Sequence, residues 1–579
     1  MQHETLVLKF GSSVLRTDAD VTAVVTEIYR HWRRGHRVVA VVSAFQGRTD
    51  EIVSLAERVG ETGRSIGALL GVGEIESSAA VALGLERAGL PTRLVSPDRI
   101  GIVATGEATE AEPIATNPEN IAAMRAGLDS GRVVVVPGYV ARTAEDLPVV
   151  LGRGGSDLSA AFLAHALGGR AILLKDTGAV YEWDPDEQGI PPKKFESLSF
   201  DDARALGDRV LQRRAIDFAQ RIGTGFTVTG LGGDAGTFVG ALPSRLHERS
   251  TKHVVHAPMR VAVLGLGVVG GGVARRLAEE VDNIELVGAL VRDATRARVG
   301  VLHGYPVVED PDQIWSEHPD LVVETIGGVD AALKLTREAL RRGAHVVTAN
   351  KAMLAEHGQE LSRLAERNAA SIRGSAAVGG ALPVLELVDA FNTHSRVVRV
   401  RGVLNGTTNF VLNRLSSGHD LRSALAEARA SGYAEQDAAA DLDGTDPANK
   451  LVCIAQTLGI HDLAVADVRR QPLVPPFASH VNGRVFRQVS ELNVANGRVS
   501  ASVRLVEVPD HDPLYRLPGV GNAIVIADDR GAEITRAADG AGRWPTTESV
   551  VADVLDHVAA RSRAYDRTER RNTSKGSPR

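Results

Sequence analysis

The chain reads as an α/β protein, with two successive modules built on mostly parallel sheets and then an α+β segment. Three observations predict this. Short apolar runs, such as Leu6 to Phe10 and Val38 to Val42, alternate with helical stretches, as buried parallel strands and their crossover helices do. Two glycine-rich strings of different kinds, Leu151-Gly-Arg-Gly-Gly-Ser-Asp157 and Val261-Ala-Val-Leu-Gly-Leu-Gly-Val-Val-Gly270, mark two separate sheet edges. From about Ala381 the alternation gives way to helices and isolated strands.

Composition bounds the function. At 579 residues the chain exceeds what one core can hold, so several domains are expected. An apolar content of 44% with 24% charged residues excludes global disorder. A net charge of −6 suggests no nucleic-acid face, and no apolar run is expected to span a bilayer. The single Cys453, inside Lys-Leu-Val-Cys-Ile-Ala, reads as inert helix core. With no charged-then-apolar leader, a cytoplasmic enzyme is expected.

Taken in order, the first module (1–240) has strands beginning at Leu6, Val38, Val133 and Ala171. Helices are predicted at about Val21 to Arg34 and Leu158 to Leu167, with a closing strand and turn from Phe226 to Val239. Residues 241–257 are polar, basic and without period, as linkers are. The second module (258–380) opens with a strand, Arg260 to Leu264, a glycine turn and a helix to Glu280. Further strands follow from Ile284, Leu321 and His345. The third segment (381–561) starts with a long helix, then a strand at Val397 to Leu404 and helices to Leu458. It ends with a strand at Asn522 to Ile526 and a helix at Thr546 to Arg561. The basic tail 562–579 is expected to be disordered.

In the first module Lys9 ends a strand, where a cation can neutralise charge on a transferring phosphoryl group. Lys9-Phe-Gly11, Val42-Ser-Ala with Thr49, Gly73-Glu74 with Ser77, the Leu151–Asp157 string, and Asp176, Gly178, Tyr181 and Asp184-Pro185 occur in that order. This set resembles the catalytic domain of aspartokinase, within the amino-acid kinase fold, a parallel-sheet sandwich. The resemblance covers about residues 3–240. It implies that Lys9 stabilises the transferred phosphoryl group and that Asp157 organises the reaction centre. Glu74, Arg153 and Thr49 would hold aspartate, and Lys9, Gly11, Asp176, Tyr181, Asp184 and Arg209 would surround ATP with its Mg²⁺. The chemistry agrees, since a glutamate can pair with a substrate ammonium and an arginine can take a carboxylate through two hydrogen bonds. This sequence departs from the pattern at Ser12, at Val149 and Val150 in place of threonines, and at Arg209 in place of a lysine.

In the second module Gly265, Gly267 and Gly270, with Val268 and Val269 between them, stand between a predicted strand and helix, as a pyrophosphate-binding turn requires. The next strand ends in Arg292, a cation that suits the 2′-phosphate of NADP; a solvated arginine is the plain alternative. Downstream come Val347-Thr-Ala-Asn-Lys351, Ala377-Val-Gly-Gly-Ala-Leu-Pro383, Gly402-Val-Leu-Asn-Gly-Thr-Thr, Gly432-Tyr-Ala-Glu-Gln-Asp, Asp441-Leu-Asp-Gly-Thr-Asp446, Lys450 and Gly540-Ala-Gly. This ordered set resembles homoserine dehydrogenase from about 259 to 561, with a Rossmann domain and an α+β catalytic and dimerisation domain. The resemblance implies Lys351 and Lys450 as catalytic lysines, with Glu435, Asp441 and Asp446 lining the substrate site. Thr325, Thr348 and Lys351 would meet the nicotinamide cofactor and Gly540 would close over it. The family's cation-binding glutamate is Ser375 here, so carbonyls of Val378, Gly380 and Leu382 would hold Na⁺ only weakly.

Together the resemblances imply a bifunctional aspartokinase–homoserine dehydrogenase without the usual regulatory (ACT) domains, since only about 18 residues separate the halves. Its substrates would be aspartate, aspartate semialdehyde and homoserine, on the route to threonine and methionine. Its cofactors would be NADP(H) and ATP, and its assembly a homodimer or homotetramer. The rival is a homoserine dehydrogenase joined to a kinase-like module that binds without catalysing.

Overall fold

The computed structural model describes residues 4–574, except 61–62, 185–191, 208–210, 234–235, 251–256, 282, 296–304, 435–437, 474–483, 496–497 and 541; at 248–250 and 562–574 it describes the backbone alone. The chain divides into two compact units. The first holds 1–86, 91–256 and 565–579, and the second 87–90 and 257–564.

The first unit is built on a nine-stranded sheet. Its order is Arg245–Ser250, Lys193–Ser199, Thr237–Gly240, Phe226–Thr229, Arg170–Leu174, Thr5–Phe10, Arg37–Val42, Val133–Pro137, Thr92–Leu94. Pairing is parallel from Phe226–Thr229 through to Thr92–Leu94. These central strands are apolar on both faces because helices cover both; Val38 to Val42 and Val133 to Val136 are fully buried. The helices Val21–Arg33 and Gly155–Leu167 match the predicted pattern. The expected linker is corrected in part, since Arg245–Ser250 pairs antiparallel with Lys193–Ser199 as the sheet's edge strand. Its alternating Leu246 and His247 gave too little apolar content to read as a strand.

The expectation that no segment could span a bilayer also needs correction. Ile66–Arg87 is long and apolar enough by composition, but half of it is buried in the protein and it carries the buried Glu74.

The second unit opens with a six-stranded, all-parallel sheet. Its order is Val307–Val308, Ile284–Leu290, Met259–Leu264, Leu321–Glu324, His345–Thr348, Ile372–Arg373. Chain order reverses at Met259–Leu264, and ligands of open α/β sheets sit at such a switch point, beyond the carboxyl strand ends. A second sheet runs Arg469–Arg470, Arg498–Glu507, Phe486–Ala495, Val397–Val403, Gly521–Asp528, Glu533–Asp539 and is antiparallel apart from its first pair.

Three readings of this half change. The helix expected from Ala381 is Val384–His394, because Gly379 and Gly380 take positive φ and Pro383 precedes it. The final helix runs Arg543–Ser574, through most of the expected tail. That helix also joins the core of the parallel sheet, where Val550, Val551 and Val554 pack with Val261, Val263 and Val273, so the Rossmann layer is closed by residues from the far end of the chain.

Candidate active sites

In the first unit Lys9, on the first strand, and Asp157, in the first turn of Gly155–Leu167, meet at the carboxyl edge of the sheet. Lys9 Nζ lies 2.7 Å from Asp157 Oδ1, with both side chains nearly excluded from water. Burial lowers the Lys9 pKa, with Asp157 opposing it. Burial raises that of Asp157, but Lys9 and Lys175 outweigh it and hold the carboxyl below its ordinary range. Lys175, to which the sequence reading gave no role, stands 3.7 Å from Asp157 Oδ2. A Cβ on Gly11 would lie 2.8 Å from Lys9 Nζ and would displace that ammonium group.

Glu74 is buried beside this pair. It accepts a long 3.4 Å bond from Ala44 N, while its other oxygen has no hydrogen-bond partner among the described residues. Burial pushes its pKa up to about 7, against a smaller pull from Lys9. An unpartnered buried carboxyl is expensive, and a substrate ammonium is the kind of group that would satisfy it.

Arg153 is exposed at the turn before Gly155–Leu167, and Thr49 is the second residue of the helix Arg48–Val59. Asp176 and Asp184 are exposed, and Tyr181 is half-buried where it bridges to Lys194. Arg209 lies outside the described residues.

In the second unit the glycine turn is built as its spacing predicts. Gly265 has φ +94°, and a Cβ on Gly270 would run into the Gly265 carbonyl. Gly267 opens on free space and Val268, the first residue of the helix Val268–Glu279, is 69% exposed; Val269 is half-buried. A close turn, an open approach and a helix N-terminus fit a dinucleotide pyrophosphate. Thr325 braces the turn, donating to Gly265 O at 2.9 Å and Leu264 O at 3.1 Å. Arg292 is exposed just beyond Ile284–Leu290.

Thr348 sits at the end of the strand His345–Thr348. Its hydroxyl donates inward to Glu324, and neither residue is exposed. Glu324 also accepts from Ile326 N at 2.6 Å, and burial pushes its pKa up to about 7. Asn350 donates to Gly328 O at 2.6 Å and caps the helix that begins at Lys351.

The two lysines expected to be catalytic converge on Asp446, in the first turn of Thr445–Thr457. Lys351 Nζ lies 2.7 Å from its Oδ1 and Lys450 Nζ 2.8 Å from its Oδ2. Burial works against the charge on Asp446, but Lys450 and Lys351 hold its pKa far below the ordinary range. Lys450 also donates to Leu404 O at 2.5 Å. Two of its three N–H bonds are thereby fixed, leaving one to aim at a substrate oxygen.

Asn405, which the sequence reading left without a role, donates to Asp446 at 2.8 Å and to Asp441 at 2.7 Å, and caps the next helix by accepting from Thr408 N. An Asn-Gly-Thr-Thr string after a strand is the cap signal that could have found it. Asp441 is raised by burial, with Asn405 opposing. Glu435 lies outside the described residues.

Gly540 packs tightly, since a Cβ there would enter the buried Asn522 amide; one on Gly380 would lie 2.8 Å from Gly540 O. The Na⁺ expectation finds little support. Ser375 spends its hydroxyl and N–H on the buried Asp553, and the Leu382 carbonyl accepts from Val384 N. Nothing in the arrangement shows Val378, Gly380 and Leu382 to be cation ligands, and no group of three or more His, Cys, Asp or Glu suited to a metal occurs among the described residues.

These features define a dinucleotide-binding turn with a lysine–aspartate clasp in one unit and a buried lysine–aspartate pair at a sheet edge in the other. Family models agree: "Homoserine dehydrogenase" matches 383–555, "Homoserine dehydrogenase, NAD binding domain" 265–374, and "Amino acid kinase family" 4–228. The homoserine dehydrogenase of Mycobacterium tuberculosis is 36% identical over 325 residues, covering 53% of this chain and 73% of that protein. That of Bacillus subtilis is 30% identical, over 51% of this chain and 72% of its own length. A solved homoserine dehydrogenase from Thiobacillus denitrificans is 30% identical, with a TM-score of 0.49, over 53% of this chain and 74% of that one. The chain belongs to the homoserine dehydrogenase family and carries an amino-acid kinase domain ahead of it, the combination of a bifunctional aspartokinase/homoserine dehydrogenase.

Proposed function

We propose that the second unit interconverts aspartate semialdehyde and homoserine with NADP(H), and that the first phosphorylates aspartate to 4-phospho-aspartate with ATP and Mg²⁺. The clasp of Asp446 between Lys351 and Lys450 carries the first assignment. A bound nicotinamide would supply or accept the hydride. Lys450, fixed by Asp446 and Leu404 O, presents its remaining N–H to the carbonyl oxygen and stabilises the alkoxide as it forms. Lys351, 40% exposed, is the more mobile partner and is placed to pass a proton between that oxygen and solvent. Asp441 and Glu435 would orient the amino acid.

The second assignment rests on Lys9, Asp157 and the unsatisfied Glu74. Arg292 supports a preference for NADP. We further propose a cytoplasmic homo-oligomer, dimer or tetramer, acting in threonine and methionine synthesis.

One preparation tests both activities. Homoserine should drive NADP⁺ reduction, and aspartate with ATP, Mg²⁺ and hydroxylamine should give aspartyl hydroxamate. A preparation active only in the first assay would leave the kinase domain as a non-catalytic binding module.

A further inference from the structure

Lys175 is held where its strand ends. Arg170–Leu174 pairs in parallel with Thr5–Phe10, with Leu173 opposite Lys9, so Lys175 rises at the same carboxyl edge, two residues further along. Its N–H donates to Thr229 O at 2.8 Å and its carbonyl accepts from Gly178 N at 3.3 Å, which fixes the backbone from which the side chain reaches Asp157.

Among the described residues the charges there do not balance. Two ammonium groups share one carboxylate, Lys9 on Oδ1 at 2.7 Å and Lys175 on Oδ2 at 3.7 Å. The other carboxyl acting on Lys9 is Glu74, which burial leaves only partly ionised near neutral pH. A surplus cation in a poorly solvated site is unfavourable until an anion joins it. The Lys175 contact is also too long for a good hydrogen bond, so this lysine is the less committed of the two.

We propose that Lys175 is a second catalytic cation of the phosphoryl-transfer site, moving from the edge of Asp157 onto the transferring phosphoryl group while Asp157 keeps the two ammonium groups from repelling each other. The inference rests on reading the first unit as a kinase. In the step, a carboxylate oxygen of aspartate bonds to the γ-phosphorus as the bond to the β,γ-bridging oxygen breaks, and that electron pair leaves with ADP. No proton moves, so charge neutralisation and alignment are the whole task of the protein.

The test uses the full chain with Lys175→Met and Lys175→Arg in the hydroxamate assay. Lys175→Met should lower kcat about 100-fold or more while KM for aspartate stays nearly constant, and Lys175→Arg, which keeps the charge, should recover part of the rate. Homoserine oxidation should be unchanged in both, which shows that the chain is folded. Wild-type kcat in Lys175→Met, or a loss confined to the KM for aspartate, overturns the proposal. If the wild type makes no hydroxamate, the kinase reading itself fails, and calorimetric titration with MgATP then decides for Lys175. Binding weakened about tenfold or more in Lys175→Met supports its role as an anion-site cation. Equal binding in both proteins, or none in either, removes that role.

Discussion

Replacing Asp446 with asparagine keeps the shape of the clasp and removes its charge. In the native protein the carboxylate holds Lys351 at 2.7 Å and Lys450 at 2.8 Å and accepts from Asn405 at 2.8 Å. In Asp446→Asn two ammonium groups face one neutral amide, half of which cannot accept a hydrogen bond. Removing one partner of a buried ion pair is destabilising by about 3–5 kcal/mol. Lys351, with 40% of its side chain exposed, can turn to solvent, so the lower end of that range applies. Lys450, 9% exposed, has no such escape and loses its fixed aim. We expect kcat for homoserine oxidation to fall about 10²–10³-fold, the scale of a general acid–base group, with a smaller rise in KM. Initial rates of nicotinamide reduction across a pH series measure this. The sign for stability follows from Asp446's lowered pKa. Its contribution is complete above the unfolded value of about 3.9 and is lost only as pH falls through the lower folded value. Asp446→Asn should therefore be less stable at neutral pH and lose that acid-side dependence. A variant with near-native kcat and stability would refute the clasp.

Lys450→Ala and Lys351→Ala should each cut homoserine oxidation about 100-fold or more, read in the same assay; a normal rate in either removes that residue's role. Glu324→Gln should show the opposite pH trend to Asp446→Asn, because burial raises the Glu324 pKa to about 7. In the wild type its favourable contribution is complete below the unfolded value of about 4.3 and fades as pH rises towards 7, so the stability of the variant relative to wild type should improve from pH 4 to pH 7. Thermal unfolding across that range checks it, and a constant difference would show that Glu324 does not titrate there. Arg292→Ala should lower kcat/KM for NADP and spare NAD; an unchanged ratio marks Arg292 as a solvated charge. Lys9→Ala and Asp157→Asn should each abolish hydroxamate formation and leave homoserine oxidation intact, whereas loss of both activities would show that the two reactions are not independent.

What the sequence disclosed and what it hid follow from how far each interaction reaches along the chain. Strands buried on both faces, such as Leu321–Glu324 and His345–Thr348, appear as apolar runs with the bounds the structure gives them, because their exclusion from water needs no particular partner. The glycine turn is equally legible, since Gly265 takes a positive φ and a Cβ on Gly270 would run into the nearby Gly265 carbonyl, both local requirements. The antiparallel pair Phe486–Ala495 and Arg498–Glu507 is not legible, although Asn496-Gly497 is a strong hairpin signal, because the buried Arg487, Gln488 and Ser490 break the apolar alternation of the first strand. Asn405 is legible as a helix cap, but its hold on Asp446, like that of Lys175 on Asp157, is not. Each owes its role to a carboxylate distant in sequence, Asp446 or Asp157, and neither spacing nor composition encodes that meeting. The closing of the Rossmann sheet by Val550, Val551 and Val554 is the longest such reach, nearly three hundred residues from the strand they cover. Motifs therefore locate the charged groups that do chemistry, whereas the residues that aim those groups emerge only when the fold brings distant segments together. In both units the lysine we propose to react is paired with a buried aspartate in the first turn of a helix, Asp157 for Lys9 and Asp446 for Lys450, where the N-terminal helix dipole favours the negative charge that burial opposes.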